Sequence, residues 1–196
     1  MSKKASTTDD RELVHRVKDG DDAAFAQLVR RYQRQVANLI YLTMGSRDGL
    51  DDLVQEVFIR VHRSVGRFNF ESSFFSWLYR ITLNLCIDEI RRRKLRRVLS
   101  LDFLAEDGDH PSFEPPASTT PEDELLREER RQKVVDALQA LSPLHRQILI
   151  LREYQDLPYD EIANILGISV QAVKSRLFRA RSELREQLEE YMRGES

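Results

Sequence analysis

From Asp9 to about Arg97, and again from about Pro121 onward, apolar residues recur three or four positions apart, and nowhere does the chain show the strict alternation of a strand. This period is the strongest constraint on the fold. Leu13, Val14 and Val17 mark a short first helix. Phe25, Leu28, Val29, Val36, Leu39 and Ile40 mark a longer second one. Leu50, Leu53, Val54, Val57, Phe58 and Val61 form a third stripe, and Phe74 to Ile90 supply a fourth, with breaks at Gly20, Gly45 to Gly49 and Gly66 to Asn69. Each stripe has to be buried against another, so the expected fold is all-α.

The periodicity stops in the middle of the chain. Residues 100–124 contain four of the six prolines, Pro111, Pro115, Pro116 and Pro121, with eight acidic residues and no Lys or Arg. Such a stretch cannot bury enough apolar surface to offset the entropy of ordering it. We therefore expect a flexible, acidic, Pro-rich linker over 99–121 joining two small helical domains, 9–98 and 122–193, with a disordered tail over 1–8. In the second domain Thr120 can cap and Pro121 open a helix running towards Leu141, and Ser142 and Pro143 start another that carries Ile148, Leu149 and Leu151.

Of the 196 residues, 33% are charged, yet the net charge is only -2, which argues against indiscriminate coating of nucleic acid. The charge is segregated: residues 91–97 read RRRKLRR, just before the acidic stretch. Cys86 is the only cysteine, which excludes an intramolecular disulfide and a cysteine-rich metal site within one chain. The opening MSKKASTTDD lacks the apolar stretch of a signal peptide, and no apolar run approaches the ~18 residues needed to span a bilayer. The expectation is a cytoplasmic protein without membrane insertion. His15, His62, His110 and His145 are scattered, and neither a Gly-rich phosphate loop nor an HExxH-type motif is present. We therefore expect no catalytic residues, no metal, no cofactor and no enzymatic activity.

The most specific motif is LPYDEIANILGISVQAVKSRLFRARSELR, residues 157–185. Tyr159 to Leu166 form a short helix with Ile162, Ala163, Ile165 and Leu166 inward; Gly167 permits the left-handed residue of a tight turn, and Ser169 can cap the next helix. At 100° per residue, Val170, Val173, Leu177, Ala180 and Leu184 fall on one apolar stripe. The opposite face carries Gln171, Lys174, Ser175, Phe178, Arg179 and Ser182, the surface a recognition helix presents to the major groove. A plain helical hairpin with a solvated basic face is the bland alternative, and it leaves Phe178 exposed among charges without a partner.

On the third helix Asp48, Asp52, Gln55 and Glu56 share the outer face near the start. By composition alone, acids there complement the helix dipole. The fourth segment combines Phe74, Phe75, Trp77 and Tyr79 with Asn84 and Asp88 and ends in the basic run. Phe74, Trp77 and Ile81 have the spacing of core residues, whereas Asn84 and Asp88 lie one turn apart on a more polar face. So many adjacent cations call for an anionic partner.

In this order, acidic helix, aromatic and basic helix, acidic linker and helix-turn-helix, the chain resembles the extracytoplasmic-function (ECF) sigma factors of bacterial RNA polymerase from about Asp9 to Leu188. The segments that carry the resemblance are DDLVQEVFIRVHRSVGRF, FFSWLYRITLNLCIDEIRRR and LSPLHRQILILREYQDLPYDEIANILGISVQAVKSRLFRARSELR. The resemblance implies that 9–98 is sigma region 2, binding core polymerase and recognising and melting the minus-ten element, and that 122–193 is sigma region 4. It implies that Asp51, Asp52, Gln55 and Glu56 contact the clamp helices of the polymerase's largest subunit. Asn84 to Asp88 match the loop and helix start that capture a flipped base, with Arg91, Arg92 and Arg93 beside the minus-ten DNA; which residue takes the base stays open, because Leu85, Cys86 and Ile87 are apolar. Gln171, Lys174, Ser175, Phe178 and Arg179 match the helix that reads the minus-thirty-five element. The linker would thread towards the RNA exit path. Core RNA polymerase, promoter DNA and an anti-sigma factor are the implied partners, and a stress or envelope regulon the implied setting.

A stand-alone helix-turn-helix regulator explains residues 157–185 but gives no purpose to the acidic helix and linker, and no dimerising heptad is visible to place two recognition helices.

Overall fold

The structure, a computed structural model, describes residues 3–99 and 132–194. These form eight α-helices: α1 (Lys3–Lys18), α2 (Asp22–Met44), α3 (Leu50–Ser64), α4 (Phe74–Leu99), α5 (132–140), α6 (Pro143–Leu149), α7 (Tyr159–Leu166) and α8 (Val170–Gly194). A 3-10 turn, Val65–Arg67, follows α3, and a π turn, Ile150–Tyr154, prolongs α6. No strand occurs among the described residues, and no helix among them is long and apolar enough to cross a membrane.

The helices begin and end for local reasons. The Asp21 carboxylate accepts the backbone N–H of Ala24 at 3.0 Å and caps α2. That bond and the Arg16 guanidinium hold its pKa below the ordinary value. Gly45, at φ 74°, closes α2 with a left-handed residue. Ser142 accepts from the backbone N–H of His145 at 3.4 Å, with Pro143 in the first turn of α6 as its sequence predicts. The first helix extends back to Lys3, into the stretch expected to be a disordered tail. Lys3, Lys4 and Ala5 are good helix formers, and a helix already nucleated by the packing of Leu13 and Val14 propagates at little cost.

The N-terminal core joins Leu13 and Val14 of α1, Leu28, Val36 and Ile40 of α2, Leu53, Val57 and Val61 of α3, and Phe74, Leu78 and Cys86 of α4. The C-terminal core joins Ile148, Leu149 and Leu151, Leu157, Ile162 and Ile165 of α7, and Val173, Leu177 and Ala180 of α8.

The two domains do not stand apart. Leu39, Tyr41 and Leu42 of α2 and Tyr79 and Leu83 of α4 belong to the C-terminal core, with α4 packed on α7 and α2 on α6. Arg146 of α6, only 6% exposed, reaches across to donate to the Thr43 carbonyl, and within its own domain donates to the carbonyls of Leu138 (2.8 Å), Gln139 (2.8 Å) and Leu141 (3.2 Å). Burial lowers the pKa of its guanidinium. Gln139 Nε2 donates to the Leu42 carbonyl (3.2 Å), Tyr41 to Gln132 (3.1 Å) and Tyr79 to Gln155 (3.0 Å). The two helical domains expected from the sequence thus also share a packed interface. Helix α4 is apolar on two sides: Leu78 and Cys86 face one core, Tyr79 and Leu83 the other. Beyond Leu99, the linker expected over 99–121 lies outside the described residues, as does the Thr120–Pro121 cap.

Candidate polymerase and promoter interface

Gly49, at φ 66°, turns the chain into α3, and Leu53, Val57, Phe58 and Val61 fix that helix on the core. This leaves Asp51, Asp52 and Gln55 exposed and Glu56 half-buried on the outer side. Beside them, between α2 and α3, lies an open groove of about 470 Å3 lined by Phe25, Val29, Val54, Phe58 and Ile59, with Asp51 and Gln55 on its rim. Gln33, His62 and Arg63 complete its lining, so the apolar surface is bordered by polar side chains and charges of both signs. Glu56 differs from its neighbours, because Arg60 Nε donates to it at 2.8 Å and Arg60 also lies 3.8 Å from Asp88 on α4.

The residues 84–88, matched above to a loop and helix start, lie in the middle of α4, ten residues beyond its first residue Phe74. The helix persists because Leu83, Leu85 and Cys86 are buried there. Leu85 and Cys86 are thus removed from any role at the surface, and burial pushes the Cys86 thiol up to about 12. Asn84 and Asp88 are exposed one turn apart, as their spacing predicts. Phe74 is buried and Trp77 and Ile81 are half-buried against the N-terminal core, as their spacing also predicts.

The arginines at the end of α4 are organised by an acid that the sequence analysis did not single out. Glu89, 7% exposed, accepts from Arg93 Nε (3.0 Å) and pairs with Arg92, with Arg96 at 3.8 Å. Arg93 also donates to the Asp48 carbonyl before α3 (3.0 Å). Arg91 is exposed beside them. The pairing of Glu89 with Arg92 and Arg93, three and four residues on, is a signal the sequence does contain.

In the C-terminal domain Gly167 adopts φ 65° and closes α7, and the Ser169 hydroxyl accepts the Ala172 N–H at 3.1 Å to start α8. Val173, Leu177 and Ala180 are buried and Leu184 is partly so. Val170, expected on the same stripe, is the first residue of the helix and is 41% exposed. Gln171, Lys174, Ser175, Phe178 and Arg179 are all exposed, Phe178 at 76%. The Ser175 hydroxyl donates back to the Ala172 carbonyl at 3.1 Å. This is a helix-turn-helix with an outer face of two cations, an amide and a solvent-facing aromatic ring, suited to phosphates, base edges and a thymine methyl.

Residues 28–96 match the family model described as Sigma-70 region 2, and residues 131–184 that described as Sigma-70, region 4. The chain is 38% identical over 185 residues, 93% of its own length and 97% of the relative's, to the ECF RNA polymerase sigma-E factor of Haemophilus influenzae. It is 36% identical to the RNA polymerase sigma-H factor of Pseudomonas aeruginosa, covering 94% of this chain and 96% of that one. Among solved structures, CnrH in complex with the cytosolic domain of CnrY matches with a TM-score of 0.68 and 26% identity over 92% of this chain and 97% of that chain. These matches span both domains and the face of α8 just described, and on them the chain belongs to the ECF RNA polymerase sigma factors, non-enzymatic proteins that give RNA polymerase its recognition of promoters.

Proposed function

We propose that the chain divides this work between its two domains. Residues 9–98 dock on core polymerase and engage the minus-ten element, and residues 122–193 read the minus-thirty-five element. The observation that carries the reading is the outer face of α8, where Phe178 stands exposed between Lys174, Ser175 and Arg179 directly after the Gly167 turn. The exposed acids Asp51 and Asp52, with Asp51 and Gln55 lining the groove, support the assignment of α3 to the polymerase, with Glu56 positioned through Arg60. Of the residues 84–88, Asn84 is favoured as the base-contacting side chain. It is exposed, and its amide both donates and accepts, whereas Asp88 faces Arg60. Arg91, Arg92 and Arg93 follow on the same helix as phosphate contacts.

Two of the solved relatives, CnrH with CnrY and RpoE of Bartonella quintana with NepR, are in complexes, the latter described as a complex with an anti-sigma factor. This supports an anti-sigma factor as a partner of this chain. A cytoplasmic location, beside the polymerase, and a stress or envelope regulon complete the proposal. The stand-alone regulator is not favoured, since it leaves the exposed acids Asp51 and Asp52 of α3 without a role.

The test is run-off transcription with added core enzyme on promoters carrying single-base variants of the upstream element. Arg179→Ala should cost ~1 to 3 kcal/mol at one position if it contacts a base, while Lys174→Ala should weaken all templates alike if it contacts phosphate. Unchanged activity of both variants on every template would remove α8 from promoter reading.

A further inference from the structure

We infer that Leu95 is a further promoter-reading residue, making an apolar contact with the C5-methyl group of a thymine in the duplex that borders the minus-ten element. Its place on α4 is the first observation. At about 100° per residue, positions 84, 88, 91 and 95 fall within about 60° of one another, so Leu95 continues the line of Asn84, Asp88 and Arg91 along one side of the helix. All four side chains are exposed, Leu95 at 59%. The apolar residues Leu83, Leu85 and Cys86 of the same helix are buried in the two cores, and Leu95 takes no part in that packing. Nor does helix propensity select a leucine here, since Lys and Arg serve an exposed helix position equally well.

The second observation is the company Leu95 keeps. It stands in the run RRRKLRR, residues 91–97, whose cations repel one another unless an anion is near. Arg92 and Arg93 are partly neutralised by Glu89, whereas Arg91 and Lys94 are exposed beside the leucine. A partner for this surface must offer anions and an apolar group side by side. The major groove of DNA does so, with phosphates along its edges and the thymine methyl on its floor. Leu95 lies eleven residues beyond Asn84, about 16 Å along the helix, or at most about five base steps of about 3.4 Å. With Asn84 at an unpaired base, Leu95 thus reaches a base several steps away. The density of cations around it matches a duplex, which carries one negative charge per ~1.7 Å, better than a single strand.

The inference rests on the assignment of α4 to the minus-ten DNA, and the test separates the two. Run-off transcription with the full-length chain and core enzyme is measured on promoters in which each thymine in and beside the minus-ten element is replaced singly by uracil, which pairs identically but lacks the methyl group. The parent should lose about fourfold at one position, the value of one buried methyl. Leu95→Ala should transcribe about fourfold less than the parent on the all-thymine template, with no further loss from uracil at that position. Leu95→Met, apolar and of similar reach, should keep the thymine preference. Full transcription by Leu95→Ala, a thymine preference that survives in it, or a parent indifferent to uracil at every position overturns the inference. So does a Leu95→Ala variant that loses core polymerase in a pull-down, since the leucine would then belong to a protein contact. Asn84→Ala and Arg91→Ala are run on the same templates. If they lower transcription while Leu95→Ala behaves as the parent, only the role of Leu95 fails; if neither lowers it, the assignment of α4 to the minus-ten DNA fails, and the role of Leu95 with it.

Discussion

Glu89 Oε1 lies 3.0 Å from Nε of Arg93, and the same nearly buried carboxylate also holds Arg92. One acid beneath a basic run both orients the arginines and reduces their charge. Glu89→Gln should therefore tighten binding to non-specific DNA, with the slope of log affinity against log salt steeper by about one, while discrimination between promoter and unrelated duplex falls. Fluorescence anisotropy of the holoenzyme across a salt series measures both; a simple loss of affinity for all DNA would refute the orienting role.

The same carboxylate gives a pH dependence of known sign. Burial alone would raise its pKa, but hydrogen bonds from Arg93 and Arg92 and their charges hold it below the ordinary 4.5. A carboxylate depressed in the folded state stabilises the fold above its unfolded pKa and loses that contribution as pH falls through the folded value. Between about pH 5 and 3 the parent should lose Tm more steeply than Glu89→Gln. Parallel curves from thermal melts would contradict this.

Asp51→Lys with Asp52→Lys should abolish binding to core polymerase without altering the circular dichroism spectrum. Both side chains are exposed on the outer side of α3, where substitutions usually change stability by no more than about 0.5 kcal/mol. Charge reversal on this face of α3 should replace attraction to a basic partner with repulsion. A pull-down that still recovers core enzyme at parental levels would return these acids to a purely helix-stabilising role.

Phe178→Ala should leave Tm unchanged, because the ring is 76% exposed and contributes nothing to the core. Promoter activity should fall nonetheless, most strongly where a thymine is replaced by a base without the methyl group's contact. Equal activity of parent and variant on all templates would make the exposed ring incidental.

Gly167→Ala isolates a backbone effect. Nothing stands within 4 Å of a Cβ at this position, so the cost is that of φ 65° alone, about 1 kcal/mol. A chain of this size should lose about 2–4 °C of Tm. No change in Tm would show that the turn relaxes out of the left-handed region.

The elements most legible in the sequence are those whose cause is local. Gly167 ends α7, Ser169 starts α8, and Ser142 with Pro143 starts α6, each through a bond or dihedral spanning at most a few residues. The outer face of α8 is equally local, since one side of a helix is set by 100° of rotation per residue. Residues 84–88 lie within the helical period that runs from Phe74 to Ile90, and the burial of Leu85 and Cys86 keeps α4 continuous through them; the loop and helix start was implied by the family resemblance alone.

By itself, then, the amino-acid sequence determined the helices, their caps, the helix-turn-helix and the segregation of acidic from basic faces, because all of these follow from interactions within about one helical turn. What each apolar face is buried against was decided only by the tertiary structure. Periodicity marks Tyr79 and Leu83 as inward, but it cannot say that they enter the core of the other domain, or that Arg146 meets a carbonyl 103 residues away. Such contacts depend on shape and hydrogen-bonding complementarity between surfaces distant in the chain, and no local period records them.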